Sequence, residues 1–171
     1  MTVADMDRAK SNELVITRPF DAPRELVWKA LTDPEALAQW WGPKGFTWLR
    51  GTLELKPGGM FLYGMKAPGG GLEMWGKFVY DEIVAPEKLV FTNSFSNEKG
   101  ETVRAPFSAD WPLEVHNTWA LAEHDGKTML TMRGYPVNAT EAERKTFEAG
   151  RGSMQQGFAG TFDQLAAYLA L

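Results

Sequence analysis

The sequence predicts an α+β fold in which a curved antiparallel sheet of about six to seven strands wraps around a long C-terminal helix. Three observations carry that expectation. Strand-like segments punctuated by Gly, Pro and Asp-Gly turns run from Phe46 to Tyr135. A helical apolar period follows from Thr140 to Leu169. Two short helix signals sit between the first strand and the rest, from Pro23 to Gly42. A sheet of about six or more twisted strands tends to curl. A helix laid across its hollow leaves an internal cavity lined by both.

Met1 to Asn12 is polar and mixed in charge and is expected to be a flexible tail. Residues 13–171 show no repeat and are expected to form one domain. Glu13 to Arg18 reads as the first strand, ended by Pro19. Pro23 suits the first turn of a helix, where its missing N–H has no partner to lose. Leu26, Val27, Ala30 and Leu31 give that helix its apolar stripe. Asp33 caps a second helix, with Pro34 at its first position and Glu35 favourable to the dipole. Leu37, Trp40 and Trp41 lie on or just after it, and Gly42-Pro43 stops it.

Strands are expected over Phe46–Leu55, Met60–Met65, Met74–Val84, Leu89–Asn93, Val115–Ala122 and Met129–Tyr135. The last two are joined at His124-Asp125-Gly126-Lys127, a strong hairpin signal. Gly69-Gly70-Gly71 lacks the Lys and Ser/Thr of a phosphate cradle and reads as a mobile hairpin tip. Asn97 to Pro106 reads as a loop. Thr140 with Glu143 makes a capping-box pattern at the start of the last helix. About 30 residues would span roughly 45 Å. Gly150, Gly152, Gly157 and Gly160 interrupt it and imply close packing or a kink, with a break near Gly150–Gly152 as the alternative.

Composition narrows function. The formal net charge is −4 without any run of Lys or Arg, which argues against nucleic acid or an anionic membrane surface as partner. There is no cysteine, so disulfides, thiolate nucleophiles and Cys-based zinc sites are excluded. Two histidines are too few for a three-His metal site, and no metal or cofactor is expected. No apolar run approaches the roughly 18 residues of a membrane span, and the expected location is the cytoplasm. Seven Trp and ten Phe fit either a bulky core or an aromatic-lined cavity.

Trp40 and Trp41 are candidates for the cavity rim or for plugs between helix and sheet. Met60, Met74, Met132 and Met154 suit a plastic apolar pocket as well as they suit an irregular core. Alternation turns Phe78, Phe91, Trp119, Leu130 and Met132 to the more apolar, inward face. Glu114 and His116, two apart on a strand, are weak candidates for a catalytic base pair, or an exposed pair at a strand start. No Gly-x-Ser-x-Gly elbow supports a serine triad.

The run Arg18-Pro19-Phe20-Asp21-Ala22-Pro23, then Val27-Trp28, Ala30 to Glu35, Leu37, Trp40-Trp41 and Pro43, is the most specific stretch. Pro57-Gly58-Gly59-Met60-Phe61, Pro86 to Thr92, Gly126 to Thr131, and Gln156-Gly157-Phe158 follow in order. Together they resemble the bacterial SRPBCC proteins, and within them the homologues of the heat-shock-protein ATPase activator. The resemblance implies the helix-grip fold, shared with birch-pollen allergen and START lipid-transfer domains, and an internal cavity. Phe158 stands where many relatives carry Trp, which keeps an aromatic ring and removes a donor. Relatives include lipid carriers and polyketide cyclases and share no catalytic residues, so none is carried over. The expected function is binding of a small apolar or aromatic molecule, with Phe158 among the cavity residues. An enzyme of the cyclase or hydrolase type and a chaperone-associated or homodimeric interaction module are the alternatives.

Overall fold

The computed structural model describes residues 13–171. The expected flexible tail, residues 1–12, lies outside the described residues. The elements are β1 (Leu14–Phe20), α1 (Arg24–Thr32), α2 (Pro34–Trp40), β2 (Thr47–Leu53), β3 (Met60–Lys66), β4 (Glu73–Val84), β5 (Lys88–Ser96), β6 (Glu114–His124), β7 (Lys127–Val137), α3 (Glu141–Ala149) and α4 (Arg151–Leu169). The strands form one antiparallel sheet in the order β1-β7-β6-β5-β4-β3-β2. The helices pack against its inner face, which is the helix-grip arrangement.

Local chemistry sets the boundaries. Asp125 and Gly126 both take positive φ, 53° and 76°, in a two-residue turn. That geometry matches the right-handed twist of β6 and β7. Asp33 accepts a hydrogen bond from the Glu35 backbone N–H at 3.0 Å and caps α2, with Pro34 in its first turn. The α1 helix starts after Pro23 without a side-chain cap, and Val27, Ala30 and Leu31 are buried along it. Leu26, expected in the same stripe, is 52% exposed because it points away from the sheet. Pro19 does not end β1 as expected. It pairs with Met129 inside the strand, because β1 is an edge and a proline there sacrifices no ladder bond.

The C-terminal helix is not continuous. It breaks at Gly150, where ψ is 1°, into α3 and α4. A Cβ at Gly150 would lie 3.0 Å from the Trp111 ring, so the glycine accommodates that close approach. Gly152, Gly157 and Gly160 do not serve close packing, since a Cβ at each would meet nothing within 4 Å.

The capping box at the start of α3 is complete. Glu143 accepts from the Thr140 backbone N–H at 2.9 Å, and Thr140 accepts from the Glu143 N–H at 3.1 Å. The second Glu143 oxygen accepts from Arg104 at 2.7 Å, which fastens the β5–β6 loop to α3. Burial raises the Glu143 pKa, but the bonds from Thr140 and Arg104 outweigh it and hold the carboxyl below its usual 4.5. The Glu143→Ala substitution is expected to destabilise by about 2 kcal/mol, a capping box and a half-exposed ion pair together. In the wild type this contribution is full above pH 4.5 and is lost as pH falls through the lowered folded value. Urea unfolding of both proteins at acid and neutral pH checks it: the gap between them should close in acid.

The core is aromatic. Phe61, Phe78, Phe91, Trp119, Phe147 and Phe162 are all buried in one cluster with Leu130 and Leu165. Phe78 stacks on Phe91 at 4.1 Å between ring centroids and meets Phe61 edge-on at 5.3 Å. This cluster packs one end of the space under the sheet, and Phe147 borders the other end, which is open.

Candidate ligand-binding cavity

The open end is a cavity of about 690 Å³ between the inner face of the sheet and the α3–α4 region. A volume in this range suits a drug-sized molecule. Tyr63 and Met65 from β3 and Met74 from β4 form one wall. Asn93 and Phe95 from β5, Val115 and Asn117 from β6, and Met132 from β7 form the sheet side. Phe147, Met154, Phe158 and Thr161 come from the helices above. Phe107, 62% exposed, and the exposed Ser153 and Gly157 mark where the cavity meets solvent. Phe107 is held edge-on between Phe95, 5.6 Å away, and Trp111, 5.4 Å away.

Trp41 divides cavity from core. It follows α2 in extended conformation, and the chain then turns at Gly42, whose φ of +112° favours glycine. A Cβ at Gly42 would also lie 2.8 Å from the Met65 methyl carbon. The α4 helix clamps this turn. Thr161 Oγ1 donates to the Gly42 carbonyl at 3.1 Å, and Gln164 Nε2 donates to the Gly42 and Trp40 carbonyls at 2.7 and 3.1 Å. So held, the Trp41 ring meets Trp40, Tyr63, Phe78 and Trp119 at 5.4 to 5.9 Å. Its indole N–H has no hydrogen-bond partner among the described residues.

Of the residues anticipated from sequence, Trp41, Met74, Met132, Met154 and Phe158 line the cavity. Trp40, Phe78, Phe91 and Trp119 face inward but lie in the packed core behind Trp41. Trp40 is 1% exposed, and its indole N–H donates to the Ala30 carbonyl at 2.8 Å. Met60 is not among the cavity residues; its sulfur lies beside Gly100, under the β5–β6 loop. Glu114 and His116 are on the other face of β6, since Val115, Asn117, Trp119 and Leu121 are the buried, inward set. His116 lies 3.8 Å from Asp81 and packs against Tyr135, outside the cavity. The two candidates for a base pair therefore do not line the cavity.

Sequence reasoning missed Tyr63, Asn93, Phe95, Phe107, Trp111 and Asn117. Asn93 and Asn117 are the most informative. Asn117 is buried, and its Nδ2 donates to Asn93 Oδ1 at 2.6 Å and to the Val115 carbonyl at 3.0 Å. Opposite Asn117 on β7 is Gly134, where a Cβ would come within 2.9 Å of Asn117 Oδ1. No Asp, Glu, His, Lys or Arg lines the cavity among the described residues. Burial pushes the Tyr63 phenol up to about 12, weakly opposed by the Trp41 indole, which stops short of hydrogen-bond geometry. Tyr63 therefore stays protonated and neutral at physiological pH.

A curved antiparallel sheet closed by helices over a neutral, largely apolar cavity is the helix-grip architecture. The chain belongs to the family of Activator of Hsp90 ATPase homolog 1-like proteins, whose family model matches residues 21–170. It is similar to the solved structure of protein Ms6760 from Mycobacterium smegmatis, at 26% identity, 94% of this chain and 92% of that one, with a TM-score of 0.74. A protein from Arthrobacter aurescens is 28% identical over 95% of this chain and 87% of its own, with a TM-score of 0.74. Protein NE0264 from Nitrosomonas europaea is 25% identical over 92% of this chain and 94% of its own, also at 0.74. No curated protein matches the chain. No helix among the described residues is long and apolar enough to cross a membrane.

Proposed function

We propose that this protein binds a small, neutral, largely apolar molecule in the cavity between sheet and C-terminal helices. The observation that carries this reading is a space of about 690 Å³ walled mainly by aromatic, Met and Val side chains, with a few neutral polar ones and no charged group. Removing roughly 300 Å² of apolar ligand surface from water contributes about 7 kcal/mol, from which the ordering costs are subtracted. A charged ligand is disfavoured, because its ionised group would lose hydration without gaining a partner. Acid–base chemistry inside the cavity finds little support. Glu114 and His116 are on the far face of β6, and the Tyr63 phenol is shifted away from neutrality.

The experiment is a fluorescence titration with N-phenyl-1-naphthylamine, a neutral apolar dye. We expect saturable one-to-one binding with a Kd of roughly 10 μM or tighter. A linear, unsaturable response would show that the cavity does not take up such a molecule. Native mass spectrometry of the protein as purified, followed by denaturing extraction, then identifies any molecule carried along.

A further inference from the structure

Asn93 and Asn117 form a polar pair in an otherwise apolar wall, and their orientation follows from one fixed point. The Val115 carbonyl can only accept, so the Asn117 amide nitrogen must face it. The second N–H of that nitrogen goes to Asn93, which must therefore present its oxygen, 2.6 Å away. Both donors of Asn117 are then used, and neither carboxamide can flip without placing two like groups together. What is left is the Asn93 NH2 group as donor and Asn117 Oδ1 as acceptor. Among the described residues neither has a protein partner, and both side chains line the cavity.

Leaving a donor and an acceptor unmatched in an apolar site is unfavourable, and an aliphatic pair would avoid it. Gly134 is consistent with the oxygen being the feature that is accommodated, since a side chain there would occupy its place. The two free groups sit on neighbouring strands, β5 and β6, with Asn93 opposite Val115 in the register. A molecule that satisfies both must carry an acceptor and a donor side by side and be neutral.

Resting on the reading of the cavity as a ligand site, we propose that Asn93 and Asn117 are its specificity determinants and select a neutral aromatic molecule bearing a cis-amide edge, such as a lactam. The ligand carbonyl accepts from Asn93 Nδ2, and the ligand N–H donates to Asn117 Oδ1. The rings lie against the aromatic and Met side chains of the cavity.

The test uses three probes of nearly equal shape: phenanthridin-6(5H)-one, its N-methyl derivative and phenanthrene. Each is titrated into ¹⁵N-labelled protein and followed by NMR, including the side-chain amide signals. The lactam is expected to bind about tenfold tighter than the N-methyl compound, the factor for one hydrogen bond left unmade in an apolar site. The Asn93 and Asn117 amide signals are expected to move with the lactam and much less with phenanthrene. In Asn117→Leu, which removes the acceptor for the ligand N–H, the ratio between lactam and N-methyl lactam should fall to near one. Equal binding of all three probes by the wild type, or a ratio that survives Asn117→Leu, would overturn the inference while leaving the apolar site intact. Absence of binding by any probe would overturn both.

Discussion

Phe78→Ala lowers the free energy of unfolding by about 4 kcal/mol, the middle of the range for removing a buried aromatic ring. The residue is 6% exposed and touches five other rings. It stacks on Phe91 at 4.1 Å and presents edges or faces to Phe61, Tyr63, Trp41 and Trp119 at 5.3 to 6.2 Å. Favourable ring pairs add to the area term. The hole cannot collapse easily, because its walls come from β3, β4, β5 and β6 in fixed register. Trp41 would lose the ring that backs it on the core side, so the cavity wall should loosen as well. Urea unfolding monitored by tryptophan fluorescence measures the loss. A value below about 1.5 kcal/mol would mean that the cluster repacks, and that Trp41 does not depend on Phe78 for its position.

The fold was legible where one local rule dominated. The Asp125-Gly126 turn, the Asp33 cap and the Thr140–Glu143 box each need only a few neighbouring residues, and each forms. Strand alternation correctly turns Phe78, Phe91, Trp119, Leu130 and Met132 inward, since all five are buried. It cannot say how far along the hollow the packed core extends. That depends on Trp41, whose position is set by hydrogen bonds from α4, some 120 residues away in sequence. Hence Phe78, Phe91 and Trp119 read as cavity residues from pattern alone, although Trp41 stands between them and the open space. Asn93 and Asn117 carried a signal that pattern reading overlooked: each is an amide in the inward register of an otherwise apolar strand face. Pro19 and Leu26 were misread for a simpler reason, because edge position and outward tilt are properties of the assembled sheet and helices.

The α4 glycines lead to a prediction in which stability and binding move in opposite directions. Gly157 is exposed, helical and on the cavity boundary, and a Cβ there meets nothing within 4 Å. Nothing about its backbone requires glycine. In the Gly157→Phe variant the helix gains roughly 0.5 kcal/mol from intrinsic propensity, and the ring has the open boundary of the cavity to enter. Thermal unfolding should therefore occur at the same or a slightly higher temperature. Binding of N-phenyl-1-naphthylamine should weaken at least about tenfold, since the ring occupies space the dye needs. A glycine at a position with room for a better helix former, beside a site that a larger side chain would fill, is what a stability–function compromise looks like in a single side chain. Gly152 offers the internal control: it has the same free space and the same helix, but does not line the cavity. Gly152→Phe should match the stability change and leave the dye titration unaltered. If both variants weaken binding equally, the dye responds to the helix as a whole rather than to the cavity, and the site lies elsewhere on the protein.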